Sequence, residues 1–168
     1  MKIAILPNLN KVDAHKHTVR VIQKLVDLGA DILMYAKYRD YFHCDEIVFY
    51  QDFYEMVTYC DVMIAIGGDG TIIHTAKHAA IASKPLLGIN LGRIGFVAGL
   101  ELNELDRLQD LVDGRYHVEK RMMLEVAISQ KEQKETYYAL NDAVISRGAL
   151  SRMIDLSVGC HDNKISHY

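Results

Sequence analysis

The sequence predicts an α/β domain built on a parallel sheet, followed by the beginning of an antiparallel β domain. Three observations carry this. Apolar runs alternate with segments of helical period through the first part of the chain, the order that builds parallel βαβ units. One of those runs, Asp61-Val-Met-Ile-Ala-Ile66, ends directly in Gly67-Gly-Asp-Gly-Thr71, a strand-to-helix turn. Beyond a boundary near residues 100–120, strand patterns follow one another with no helix between them. The chain therefore divides into residues 1–100, the α/β domain with the glycine loop, and residues 101–168, a partial all-β domain.

Residues 2–6 read as the first strand. Residues 13–28 place Val19, Ile22, Leu25, Val26 and Leu28 at helical spacing, and Gly29 is a helix stop. Residues 30–35 return as a second strand. The turn between first strand and helix is Pro7-Asn-Leu-Asn10; without Gly-x-Gly-x-x-Gly it disfavours a dinucleotide-fingerprint Rossmann site. A short helix over 52–59 leads into the buried strand before the glycines, and a longer one over 72–82 follows them. Lys84-Pro85 breaks that helix. Residues 86–89 make another buried strand, ending in Asn90-Leu-Gly-Arg-Ile-Gly-Phe-Val-Ala-Gly99, a second glycine-bearing loop. Both loops should lie at the sheet edge where open α/β sheets bind ligands, outside the carboxyl ends of the strands. Residues 101–111 form an amphipathic helix on Leu102, Leu105, Leu108 and Leu111, with Gly114 beyond it. Strands are expected over 121–130, 136–147 and 153–159, joined by polar turns such as 131–134 and 161–163. Residues 164–168 open as the partner of 153–159. So few strands make a thin sheet with an open edge, so the chain reads as a fragment, or a naturally short form, of something longer.

Composition narrows the class. The 168 residues are 50% hydrophobic and 24% charged, enough apolar material for a core in a soluble domain. The net charge of −3, with no Lys/Arg cluster interleaved with aromatics, argues against a nucleic-acid partner. No apolar run approaches the roughly 18 residues of a membrane span. The N-terminal run lacks the length and cleavage site of a signal peptide. Cys44, Cys60 and Cys160 are widely spaced with no C-x-x-C, as expected of reduced thiols in a cytoplasmic protein.

The glycine loop is where chemistry is expected. A strand that turns through glycines into a helix N-terminus presents unpaired N–H groups to a phosphate. Glycine suits that turn because it reaches φ > 0 and has no side chain to block a close ligand. Asp69, at the mouth of the loop, offers a carboxylate that can hold Mg²⁺ or take a proton from a hydroxyl. The plainer alternative is a tight turn with Asp69 as a helix cap. His74 and His78 form an i, i+4 pair, but no third ligand accompanies them, and no metal site is assigned.

Gly67-Gly-Asp-Gly-Thr71 resembles the signature shared by NAD kinases, diacylglycerol and sphingosine kinases and, more distantly, phosphofructokinases. Gly88-Ile-Asn-Leu-Gly-Arg-Ile-Gly-Phe96 resembles the second NAD kinase motif, and Ala139-Leu-Asn-Asp142 that family's Asn-Glu/Asp motif. Arg121-Met-Met-Leu124 resembles the segment that opens its second domain. Order and spacing match, so the resemblance covers essentially the whole chain. The family's last glycine-rich NAD-binding motif would begin past Tyr168.

The resemblance implies a phosphofructokinase-like N-domain followed by the start of a β-sandwich. It implies transfer of the γ-phosphoryl of ATP, or of polyphosphate, to the 2′-hydroxyl of the adenosine ribose of NAD⁺, with Mg²⁺ accompanying ATP. Asp69 is then the general base, and Gly67, Gly68 and Gly70 contact phosphate. Asn141 and Asp142 bind the NAD ribose and amide, and their expected mid-strand position makes two polar residues costly unless a ligand pairs with them. Phe96 lies beside the adenine, while His74 and Arg152 match ligand-facing positions for which a solvated surface role is the competing reading. The family also implies a homo-oligomer for the full-length protein. Two other readings compete. A lipid kinase of the same superfamily would carry a Gly-Thr-x-Asn-Asp element, and none is present. A catalytically incomplete nucleotide-binding fragment would bind nucleotide without turnover.

Overall fold

Apolar side chains dominate the strands of the first region, and the computed structural model gathers them into one sheet; it describes residues 1–92, 95–131, 133–146 and 154–167. The strands are β1 (Lys2–Pro7), β2 (Asp31–Tyr35), β3 (Ile47–Tyr50), β4 (Val62–Gly67), β5 (Leu86–Asn90) and β6 (Leu100–Glu101). They lie in the order β3-β2-β1-β4-β5-β6, and every neighbouring pair is parallel. The α/β domain with a parallel sheet is therefore as expected. β4 is buried along its whole length, the mark of a central parallel strand covered on both faces.

The covering helices are α1 (Ala14–Asp27), α2 (Phe53–Tyr59), α3 (Asp69–Ile81) and α4 (Leu108–Val112). Alternation along the strands sends side chains to two cores. Ile3, Ile5, Ile64 and Ile66 pack with Val21, Leu25 and Leu108 on one face. Ala4 and Met63 pack with Met56, Val57 and Ala79 on the other. The strand order runs one way from β1 to β2 and the other way to β4, so a crevice opens outside the carboxyl ends of β1 and β4, where such sheets bind ligands.

Asp52 starts α2 by accepting the Glu55 N–H at 2.7 Å on its carboxylate. Removing such a cap costs about 1 kcal/mol. Asp52→Ala is therefore expected to lower the urea midpoint by the equivalent of about 1 kcal/mol with an unchanged slope.

The structure departs from the sequence reading in several places. β3 was not expected; it is a short edge strand preceded by the polar Cys44-Asp-Glu46. The single helix expected over 101–111 is broken into β6, a 3₁₀ turn (Leu105–Arg107) and α4. Pairing of Leu100 and Glu101 with Ile89 and Asn90 holds the segment extended, and the Glu104 carboxylate accepts the Glu101 N–H at 3.0 Å to close the turn. Leu105, Leu108 and Leu111 still face the core, as their spacing implied.

Beyond residue 120, β7 (Leu124–Gln130) and β8 (Gln133–Ala139) form one antiparallel hairpin, and β9 (Ser157–Cys160) and β10 (Asn163–His167) a second. Lys131 and His161, at φ 54° and 53°, make the left-handed corners. The pairing expected for the last residues is the β9–β10 hairpin. The strand expected over 136–147 ends at Ala139, because Asn141 and Asp142 are poor strand formers. Among the described residues, no helix is long and apolar enough to cross a membrane.

Candidate active site

The site is built where β1, β4 and β5 end. Gly68 is extended, and α3 begins at Asp69 rather than at residue 72 as expected. The Thr71 and Ile72 N–H groups both donate to the Gly68 carbonyl, at 2.9 and 3.2 Å. Those of Asp69 and Gly70 have no acceptor one turn earlier in the helix. The Asn8 amide nitrogen donates to Thr71 Oγ1 at 3.0 Å, and its main-chain N–H to the Ile66 carbonyl at 2.9 Å. The Leu91 N–H donates to the Gly67 carbonyl at 2.8 Å. The three strand ends are thus cross-tied around the loop.

None of the three loop glycines uses the φ > 0 freedom that the sequence reading gave as one reason for them; crowding requires Gly67, and Gly70 faces open space. Gly67, Gly68 and Gly70 all lie outside the left-handed region. A Cβ on Gly67 would overlap the Thr71 side chain, and one on Gly68 would come within 3.3 Å of Lys11 Nζ. That second distance places a cation beside the loop.

Asp69 is half-buried in the first turn of α3, where the helix dipole favours negative charge. Its Oδ2 accepts the Phe96 N–H at 3.1 Å. Its Oδ1 is buried and has no hydrogen-bond partner among the described residues. Such an acceptor costs about 1–3 kcal/mol while unsatisfied. The second glycine loop thereby folds back onto the first. It starts from Asn90, which is buried at the end of β5 and accepts the Gly92 N–H on Oδ1 at 3.3 Å. The Phe96 side chain is 96% exposed, so it belongs to no core.

Next to Gly70 and Thr71 opens a cleft of about 660 Å³ walled by Asn8, Tyr35, Lys37, Tyr38, His74 and His78, with no carboxylate among the described residues that line it. Lys37 Nζ lies 5.6 and 4.8 Å from the ring centres of Tyr35 and Tyr38. The His74 and His78 rings meet edge to face at 5.5 Å, and the Tyr54 hydroxyl lies 3.0 Å from His78 Nδ1. Partial burial, then the Lys77 charge, holds both histidines below the ordinary imidazole range; Lys37 adds to this for His74, and His74 for His78. Among the described residues no three His, Cys, Asp or Glu side chains converge as metal ligands.

Both histidines bind protons more tightly in the unfolded chain, so they contribute stability above the unfolded value of about 6.5, which is lost as pH falls through the lowered folded values. The urea midpoint is expected to fall between pH 7 and pH 5 more steeply in the wild type than in a His74→Gln/His78→Gln variant.

The structure brings Gly67, Gly68, Asp69, Gly70 and the Phe96 backbone together and sets His74 on the adjoining cleft. Asn141 and Asp142 are exposed just past β8, the Asn141 amide donating to Asp142 Oδ1 at 3.2 Å. The mid-strand burial expected of them does not occur. The neighbouring Leu140 reaches the flank of α3, lining a groove with Ile72 and Ala76. Arg152 lies outside the described residues. Asn8, Lys11, Lys37 and Tyr38 were not singled out from the sequence; for Asn8 and Lys11 the signal was their place just past a parallel strand's carboxyl end.

Residues 3–116 match the family model of the ATP-NAD kinase N-terminal domain. The NAD kinase of Caldanaerobacter subterraneus subsp. tengcongensis is 34% identical over an alignment covering 99% of this chain and 59% of the relative. That of Moorella thermoacetica is 35% identical over 94% of this chain and 50% of the relative. The chain thus spans between about half and three-fifths of the length of these relatives. Among solved structures, yeast NADH kinase complexed with NADH superimposes with a TM-score of 0.80 at 18% identity, over 99% of this chain and 54% of that one. The Archaeoglobus fulgidus NAD kinase in complex with ATP gives 0.64 at 20% identity, over 99% and 57%. At such identities these two likenesses speak for the fold.

Proposed function

The chain belongs to the NAD kinase family, and we propose that it serves transfer of the terminal phosphoryl group of ATP to the 2′-hydroxyl of the adenosine ribose of NAD⁺, giving NADP⁺. The observation that carries this is Asp69: one carboxylate oxygen held by a backbone N–H, the other buried with no partner among the described residues, at the switch point of a parallel sheet. A ribose hydroxyl is a weak nucleophile with one proton to give, and Oδ1 is an acceptor in need of one. Asp69 acts as the general base.

The remaining parts divide by chemistry. The N-terminus of α3, the glycine backbone and Lys11 hold the transferring phosphate, where preorganised N–H groups and a cation stabilise developing charge. The carboxylate-free cleft takes the donor, its base against the Tyr35 and Tyr38 rings and its phosphates toward Lys37, His74 and Gly70. Inorganic polyphosphate would use the same cations without the aromatic wall. Asn141 and Asp142 share donor and acceptor duties on the ribose of NAD⁺, and Phe96, exposed on the loop that touches Asp69, lies against the adenine. Arg152 contacts NAD⁺ in the same reading. Asp69 would be the carboxylate beside a Mg²⁺ bound with the donor's phosphates, whose charge the cation would neutralise while keeping phosphate and water ligands. A cytoplasmic homo-oligomer without nucleic-acid or membrane partners, with residues 101–168 as the NAD⁺-binding part, completes the proposal.

The test is NADP⁺ formation from NAD⁺ and Mg·ATP, with an Asp69→Asn variant in parallel. Product that disappears in the variant supports the reading. Absence of product from the wild type would leave the family standing and sink the idea that these residues suffice for turnover.

A further inference from the structure

Gly95 lies directly against the Asp69 carboxylate. A Cβ built on it would overlap Asp69 Oδ1 and come within 2.9 Å of Cγ and 3.2 Å of Oδ2. The next residue supplies the main-chain N–H that Oδ2 accepts. The second glycine loop therefore touches the carboxylate twice, with a bare α-carbon against one oxygen and a donor against the other.

We propose that Gly95 is a positioning residue for Asp69: its missing side chain lets the loop close onto the carboxylate, and the Phe96 N–H then holds that carboxylate in one orientation. This rests on the kinase reading above. A carboxylate at a helix N-terminus has free N–H groups of its own helix within reach, and capping them would turn it away from a substrate. A donor from a different strand's loop draws Oδ2 the other way and leaves Oδ1 unsatisfied. Any side chain at position 95 evicts Oδ1 from its place. The obstructed atoms are the end of a short side chain and not backbone, so the carboxylate rotates and the fold survives.

Misplacing a catalytic group by about 1 Å can cost on the order of 100-fold in rate. Gly95→Ala is accordingly expected to lower kcat for NADP⁺ formation about 100-fold, with KM for NAD⁺ and Mg·ATP and the melting temperature little changed. A second readout needs no turnover. The Phe96 amide proton should resonate downfield in the wild type and move upfield in both Gly95→Ala and Asp69→Ala, when NMR spectra of the free proteins are compared. Wild-type kcat in Gly95→Ala, or a Phe96 amide indifferent to both substitutions, overturns the proposal. If Gly95→Ala fails to fold, the Asp69→Ala comparison decides alone. A wild-type chain that makes no NADP⁺ means that further residues are needed for turnover, and the amide comparison still decides whether the loop holds the carboxylate.

Discussion

Asp69→Asn is expected to lower NADP⁺ formation by roughly 10²- to 10⁴-fold, the usual contribution of a positioned general base. The substitution is nearly isosteric, and its amide oxygen can still accept the Phe96 N–H, so the contact between the two loops survives. What it removes is the basicity needed by the hydroxyl. The glycines, Lys11 and the aromatic cleft are untouched, so KM for Mg·ATP should stay within a few-fold while kcat falls. The melting temperature should not drop. The substitution gives up the favourable interaction of negative charge with the helix N-terminus, worth about 0.3–1 kcal/mol, and exchanges one unpaired buried polar atom for another, so any change is small. If kcat and KM both remained at wild-type values, Asp69 would be a cap and the active site would have to be sought elsewhere.

Much of this site was legible before any coordinates. Gly67-Gly-Asp-Gly-Thr71 announces a strand-to-helix turn, and the apolar run before it guarantees that Asp69 emerges from a buried strand. What pattern could not give is the direction of the second loop. Nothing in Arg-Ile-Gly-Phe says that its backbone will donate to a residue 27 positions earlier. Such contacts come from two loops leaving adjacent parallel strands, here β4 and β5, and become predictable only once that pairing is known. Asn141 and Asp142 illustrate the opposite failure. The surrounding Ala139, Leu140, Ala143 and Val144 read as a continuing strand, but two adjacent strand-breaking residues end it, and Val144 is exposed.

The sheet itself was read closely because each buried parallel strand is a short continuous apolar run bounded by breakers. β3 escaped for the complementary reason. It is a four-residue edge strand with one residue buried, one exposed and two half-buried, and its apolar content is indistinguishable from that of the tyrosine-rich segments around it. The segment after Gly99 was misread in type but not in burial: leucines at threefold spacing face a core whether their backbone is α, 3₁₀ or mixed.

That distinction has a measurable consequence at Leu108. It begins a helix of only five residues, too short to be stable on its own propensity, yet it is 0% exposed. It sits in the core that also holds Ile3, Leu25 and Ile64, with α4 lying against α1. Tertiary packing, not helix propensity, holds this segment in place. Truncating a fully buried leucine removes its transfer free energy and leaves a cavity, about 2–5 kcal/mol in all. Leu108→Ala should therefore lower the unfolding free energy by that amount, a large share of the stability of a small domain. Ile128→Ala, on the solvent-exposed β7, should change it by no more than about 0.5 kcal/mol. Urea unfolding followed by circular dichroism separates the two. A mild effect at Leu108, comparable to that at Ile128, would mean that residues 100–112 unfold apart from the sheet and that the α/β core ends before them.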